Sequence, residues 1–376
     1  MENKIFGASN YLLQYTNNLH LSFILRAKKD ELKRSIIESI LGNITSLSIL
    51  GFWVFAIFST LNGEITIGLL SFYVSSMYRF SNALSRMFKK ISSLYENSLY
   101  INDYFKFLDL EENIKSGTKS LKLDSPPLIE FKNVYFKYPE TDTYVINNMS
   151  FEIKPFEKVA LVGINGAGKT TIIKLLTRFY DIDEGEILLN GTNIKEYKLE
   201  DLYSNFGVLF QKFSKYGQFS VRENIEIGDI NAKSTNEKLE DAIFKADAAE
   251  FIAEYKNGLE QILDKSFDNG VDPSTGQWQK IALARIFYRN SHVLILDKPT
   301  SAIDAKAEYE IFERLYEFTK NKSVIIISHR FSTVRKADRI LVLEKGEIIE
   351  QGTHSELMKL NGKYADAFNT QAKGYV

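Results

Sequence analysis

The run Val159–Leu176, VALVGINGAGKTTIIKLL, constrains the fold more tightly than any other part of the chain. Val159 to Val162 are four apolar residues in a row, the pattern of a short buried strand. Gly163 to Thr170 then fit G-x-x-x-x-G-K-[ST], and Thr171 to Leu176 open an apolar helix. Strand, glycine-rich turn and helix together make a phosphate cradle. Gly163, Gly166 and Gly168 let the backbone bend so that its N–H groups face phosphate oxygens. The helix puts the positive end of its dipole on the same phosphates. Lys169 adds a full charge that reaches the terminal phosphates, and the Thr170 hydroxyl is placed to ligate Mg²⁺.

With 376 residues, the chain has room for two or three domains of roughly 100–200 residues each. Its 47 Lys and Arg balance 48 Asp and Glu, a net charge of −1, so no basic stripe for a nucleic-acid partner is expected. The absence of cysteine excludes disulfides, Cys-based zinc sites and a thiol nucleophile. No signal peptide pattern, internal repeat or low-complexity tract is present.

Met1 to Arg34 is polar and of mixed charge and reads as helical cytosolic material. From Ser39 to Gly63 no charged residue appears, a length that suffices for the about 20 residues of a membrane span. Ile65 to Tyr78 is a second uncharged run. Met77, Phe80, Leu84, Met87, Ile91, Leu94 and Leu99 continue it at helical spacing, which predicts one long helix running to about Leu108. The two membrane helices are expected at about 41–62 and 65–85. Lys28, Lys29, Lys33 and Arg34 precede the first uncharged run; Arg79, Arg86, Lys89 and Lys90 follow the second uncharged run, Ile65 to Tyr78. The turn between carries only Glu64. The positive-inside tendency puts both ends in the cytoplasm.

Residues 111–127 read as a charged linker containing Ser, Gly and Pro, and 128–376 as a separate α/β domain. Strands are expected at Leu128 to Phe136, Val159 to Val162, Glu186 to Leu189, Gly207 to Phe210, Val293 to Leu296, Val324 to Ile327 and Ile340 to Leu343. Asn236 to Ile262 reads as a helical insert, and Glu344 to Glu347 as a hairpin turn. Val293-Leu-Ile-Leu-Asp297 places an acid at the carboxyl end of a buried strand, where an Mg²⁺ ligand belongs beside a phosphate cradle. It is followed by Lys298-Pro-Thr-Ser-Ala-Ile-Asp304 and preceded by Pro273-Ser-Thr-Gly-Gln277. Val324 to His329 is another strand, ending in His. Gln211 closes the strand Gly207 to Phe210, and Tyr138 stands in Phe136-Lys-Tyr-Pro.

In this order the motifs resemble the ABC-type ATPase family from about Leu128 to the C-terminus. The resemblance implies a P-loop NTPase domain with an antiparallel β subdomain and a helical subdomain. Tyr138 falls where the family stacks an aromatic on adenine. Gly163, Asn165, Gly166, Ala167, Gly168, Lys169, Thr170 and Thr171 fall in its ATP-binding loop. Gln211, with Val221-Arg-Glu-Asn224 after it, resembles the loop that senses Mg²⁺ and couples to the membrane part. Thr170, Gln211 and Asp297 are the implied Mg²⁺ set. Ser274, Thr275, Gly276 and Gln277 occupy the signature motif, which caps the partner subunit's nucleotide. Asp304 is the D-loop acid, and His329 the switch histidine on the γ-phosphate. Residues 1–110 are similar to the last third of the membrane domain of an exporter-type half-transporter. Lys4 to Tyr11 resembles its cytosolic coupling segment. The two runs correspond to its fifth and sixth membrane helices, with the first four missing. The resemblance thus implies a partial all-α transmembrane domain before the ATPase domain, in a multi-pass protein of the plasma membrane with a cytoplasmic ATPase domain.

Two positions depart from the family. After Asp297 the family carries a Glu that positions or deprotonates the attacking water; here that residue is Lys298. An ammonium has no lone pair with which to accept a proton. The signature Leu-Ser-Gly-Gly-Gln is here Pro273-Ser-Thr-Gly-Gln277, and Thr275 adds a branched side chain where glycine allows close approach. ATP and Mg²⁺ binding are therefore expected, with little turnover at the chain's own site. A heterodimer with an intact half-transporter is favoured over a homodimer, because each composite site then carries one defect instead of two. The rival readings are a truncated or regulatory subunit that binds ATP without transporting, and a soluble ATPase acting on nucleic acid or ribosomes. The transported substrate is not legible.

Overall fold

The computed structural model describes residues 5–110, 112–233, 235–299, 305–328 and 334–373. The chain divides into two compact units, Met1–Glu111 and Glu112–Val376.

The first unit is a pair of helices, α1 (Ser9–Leu61) and α2 (Ile67–Leu108). The polar N-terminal segment and the first apolar run form one continuous helix of 53 residues, so the composition change near Ser39 is not a structural boundary. Of the segment resembling a coupling helix, Ser9 to Tyr11 begin α1, Phe6 to Ala8 form a turn before it, and Lys4 lies outside the described residues. Thr66 caps α2, its hydroxyl accepting from the Leu69 N–H at 3.3 Å. Ala56 and Ser59 are buried while Phe55, Phe58 and Leu61 are exposed, leaving an apolar outer surface on α1. Among the described residues α1 is the one helix long and apolar enough to cross a membrane. The second expected span, at the head of α2, falls short of that hydropathy: Ser71, Ser75, Ser76 and Arg79 dilute it.

The second unit is built on two sheets. Strands β1 (Ile129–Phe136), β2 (Ile146–Ile153), β4 (Glu184–Leu189) and β5 (Thr192–Asn193) form an antiparallel sheet in the order β2-β1-β4-β5. Strands β3 (Lys158–Gly163), β6 (Phe206–Leu209), β7 (Val293–Asp297), β8 (Ser323–Ile327), β9 (Arg339–Glu344) and β10 (Glu347–Gly352) form the larger sheet, ordered β10-β9-β3-β8-β7-β6. In it β10 alone runs antiparallel, as the outer arm of a hairpin pairing Glu347 with Glu344. Strands β3, β7, β8 and β9 are buried on both faces, so they read as unbroken apolar runs without alternation. The strand before Gln211 ends at Leu209, with Phe210 outside it, and β2 was not expected from the sequence.

Helix α3 (Lys169–Leu176) buries Ile172, Ile173, Leu175 and Leu176 in the core that joins the two sheets. After the short helices α4 (Leu199–Ser204) and α5 (Val221–Glu226), a second core gathers the insert helices α6 (Asn236–Lys245) and α7 (Ala249–Ala253) and the longer helix α8 (Thr275–Arg289). Trp278, Ile281, Leu283 and Ile286 of α8 supply much of it. Because β3, β8, β7 and β6 are parallel, the turns that leave them all emerge at one edge. Leu161 and Asp297 both pair with Ile327 of β8, from opposite sides.

Candidate phosphate-binding site

The turn after β3 has little room for side chains. Gly163 has φ 149°, and a Cβ there would lie 2.2 Å from the Leu343 carbonyl oxygen. Gly168, the residue before α3, has φ 99°, and a Cβ there would lie 2.8 Å from Ile146 Cδ1. Both positions therefore require glycine. The loop so shaped turns the first amides of α3 toward a common point at the sheet edge.

Lys169 is buried, and its ammonium donates to the carbonyls of Gly163 and Ile164, each at 2.7 Å. Burial lowers its pKa to about 8; the Lys298 charge acts in the same direction, and Asp297 opposes both. Thr170 Oγ1 donates to Asp297 Oδ2 at 2.9 Å. Asp297 is 1% exposed, and its other oxygen, Oδ1, is buried without a hydrogen-bond partner. Burial pushes the Asp297 carboxyl up, against the Thr170 hydrogen bond and the two lysine charges. A hydroxyl oxygen beside a carboxylate with one unsatisfied oxygen suits Mg²⁺, a hard cation that takes oxygen ligands. The donor set present therefore fits the metal.

Lys298 follows at once, in the left-handed region at φ 52°, and its N–H bonds the Ile327 carbonyl at 2.9 Å. It is half-buried. Tyr138 is half-buried too, its hydroxyl 3.0 Å from Thr171 Oγ1. Asn165 lies in the turn, and Ala167 is buried beneath it.

Other expected residues lie apart from this cluster. Gln211 is exposed beyond β6 and makes no hydrogen bond to Thr170 or Asp297. Ser274 and Gln277 cap α8 reciprocally: Ser274 Oγ accepts from the Gln277 N–H at 3.3 Å, and Gln277 Oε1 from the Ser274 N–H at 2.8 Å. Thr275 is the first residue of that helix and exposed, and Gly276 follows it. Asp304 and His329 lie outside the described residues. Gln279 was not singled out from the sequence, yet its buried amide donates to the Pro299 carbonyl and ties α8 to the turn after Asp297. Only its i+2 position after Gln277 could have drawn attention to it.

The Lys169 environment gives a pH dependence with a definite sign. The ammonium loses its proton as pH rises past about 8. Phosphate favours the charged form, so binding takes up a proton there. ATP affinity is expected to fall as pH rises past that point, steepening toward about tenfold per pH unit. A calorimetric titration across this range checks it. Lys298→Glu removes the like charge and should move the fall to higher pH.

The ABC transporter family profile matches residues 146–301. The chain is 36% identical over 360 residues to the subtilin transport ATP-binding protein of Bacillus subtilis, covering 95% of this chain and 58% of that protein. It is 38% identical over 308 residues to the ATP-dependent lipid A-core flippase of Pasteurella multocida, covering 82% and 52%. The solved structure of a bacterial Atm1-family ABC exporter with ATP bound matches it with a TM-score of 0.82 at 28% identity, over 99% of this chain and 64% of that one. The chain thus spans between about half and two-thirds of the length of the relatives it matches. By sequence over nearly all of its residues, and by fold, the chain belongs to the ABC transporter superfamily.

Proposed function

We propose that the chain is an ATP-binding subunit of an ABC-type exporter. Residues 1–110 supply part of the membrane domain, 111–127 the linker, and 128–376 the nucleotide-binding domain. It binds Mg-ATP, closes against the nucleotide domain of a second half-transporter, and passes that closure through Gln211 to membrane helices. The observation that carries this reading is the Thr170–Asp297 hydrogen bond beside the Gly163–Thr170 loop, with Asp297 Oδ1 buried and unpaired. Thr170 and Asp297 would hold Mg²⁺, which would supply positive charge against the phosphates. Lys169 then exchanges its two carbonyl partners for phosphate oxygens. Similarity to a lipid A-core flippase and to an Atm1-family exporter, together with the apolar α1, supports a bilayer setting with the nucleotide domain in the cytoplasm. A heterodimer fits better than a homodimer, because Lys298 and Thr275 then fall in different composite sites.

A second reading, a subunit that binds ATP as a dimerisation switch without transporting, is favoured by Lys298 at the position of the water-activating acid. A soluble ATPase on nucleic acid fits neither the charge balance nor α1.

The test is equilibrium ATP binding by the full chain extracted from membranes in detergent. Saturable binding strengthened by Mg²⁺ is expected, with Asp297→Asn removing the Mg²⁺-dependent part. No saturable binding refutes the reading. Release of the chain from membranes by alkaline carbonate, without detergent, refutes its bilayer component.

A further inference from the structure

The ring of Tyr138 is fastened to the helix behind the phosphate loop by two side chains that the family resemblance does not account for. Lys174 Nζ lies 3.4 Å from the Tyr138 hydroxyl and 5.0 Å from its ring centroid. The same ammonium stands 5.6 Å from the centroid of Tyr180. Tyr180 meets Tyr138 edge-on, at 90° and 5.2 Å between centroids. Phe136 closes the group, 5.1 Å from Tyr138 and 5.6 Å from Tyr180.

Lys174 and Thr171 are three residues apart on α3, so they share a face and reach the same ring. Lys174 is half-buried, and among the described residues it has no carboxylate within ion-pair distance. Its charge is directed at two tyrosines. An ammonium over an aromatic face is attracted by the ring quadrupole, more strongly where water is partly excluded. Perpendicular rings gain from edge-to-face contact. The amino end of α3 shapes the phosphate cradle, and one turn further on the same helix holds Tyr138.

We infer that Lys174 is a positioning residue for the nucleotide base: with Tyr180 it fixes the Tyr138 ring in register with the phosphate loop. The inference rests on the ATP-binding reading above. It separates the two ends of the ligand, because Lys174 acts on the base through Tyr138 and does not act on the phosphates.

The test compares ATP with inorganic tripolyphosphate, which has phosphates but no base, by calorimetry on the full chain in detergent. Lys174→Met is expected to weaken ATP about 5- to 30-fold and to leave tripolyphosphate within about twofold. Lys174→Arg restores ATP affinity, since a guanidinium also sits over an aromatic ring. In a Tyr138→Leu background, Lys174→Met has no further effect on ATP. Parallel losses for both ligands make Lys174 a phosphate-binding charge and overturn the inference. So does an additive double variant, or ATP affinity unchanged by Lys174→Met while the wild type binds ATP. A wild-type chain that binds tripolyphosphate but not ATP overturns this inference and the functional reading together.

Discussion

Lys298→Glu raises the steady-state ATPase rate of the full chain by about 10²–10⁴-fold, the usual worth of a general base. The substitution changes the chemistry and little else. Lys298 sits in the turn that leaves β7, held by a main-chain hydrogen bond from its N–H to the Ile327 carbonyl, and that bond survives any side-chain exchange. The left-handed backbone at φ 52° is as unfavourable for Glu as for Lys, so stability should change little. The carboxylate would stand directly after Asp297, at the sheet edge where the phosphate loop also emerges. It also removes the like charge that helps hold the Lys169 pKa at about 8. Phosphate release by the purified chain reads the effect. An unchanged rate sinks the single-residue account and moves the block to Thr275, the altered position in the signature loop. Thr275→Gly in the Lys298→Glu background then separates the two defects.

Lys169→Ala weakens ATP binding by about 10²-fold or more. The Lys169 ammonium is buried and makes two 2.7 Å hydrogen bonds to loop carbonyls. Charge-assisted hydrogen bonds contribute roughly 1.5–3 kcal/mol each, and two such bonds to phosphate are lost at once. The truncation also leaves the Gly163 and Ile164 carbonyls without the donor that closes the loop on itself. Retained tight ATP binding in Lys169→Ala would mean that the nucleotide is held somewhere other than the Gly163–Thr170 loop. Lys169→Arg is not expected to rescue, because a planar guanidinium does not fit a pocket filled by a compact ammonium.

The parts of the fold that were legible in sequence are those whose physics is local. The glycine positions, the Lys-Thr pair and the acid at the end of an apolar run each follow from what a few consecutive residues must do. The strands buried on both faces announce themselves as continuous apolar runs. β2 was hidden because its alternation is broken. Asn147 and Asn148 interrupt the apolar residues, Asn148 has φ 44°, and the pairing with β1 shifts register around Met149. β10 was signalled only by the hairpin turn at Glu344 to Glu347, because as a polar edge strand with alternating exposure it has no apolar run of its own. In the first unit the apolar run was plain, but its fusion to the polar segment before it was not, since helices continue through changes of polarity.

The site shows the same division. Thr170 and Asp297 are 127 residues apart, yet their meeting could be anticipated because the loop leading to Thr170 leaves the carboxyl end of β3 and Asp297 ends β7, two strands that run parallel in one sheet. Lys174 could not, because its role depends on a ring contributed by β1's outgoing loop and on Tyr180 beyond the end of α3. Ser274 and Gln277 carry two possible roles at once. The capping box is local and legible, whereas contact with a partner's nucleotide depends on a second subunit.

We propose that the chain holds ATP with little or no turnover at its own site. One measurement addresses it most directly: incubation of the full chain with Mg-[γ-³²P]ATP, counting retained nucleotide and released phosphate in the same sample. The account predicts near-stoichiometric ATP retained on the protein, with phosphate release at the level of the Lys169→Ala control, and release that rises sharply in Lys298→Glu. Rapid release of phosphate by the wild-type chain, at the rate of Lys298→Glu, would contradict it.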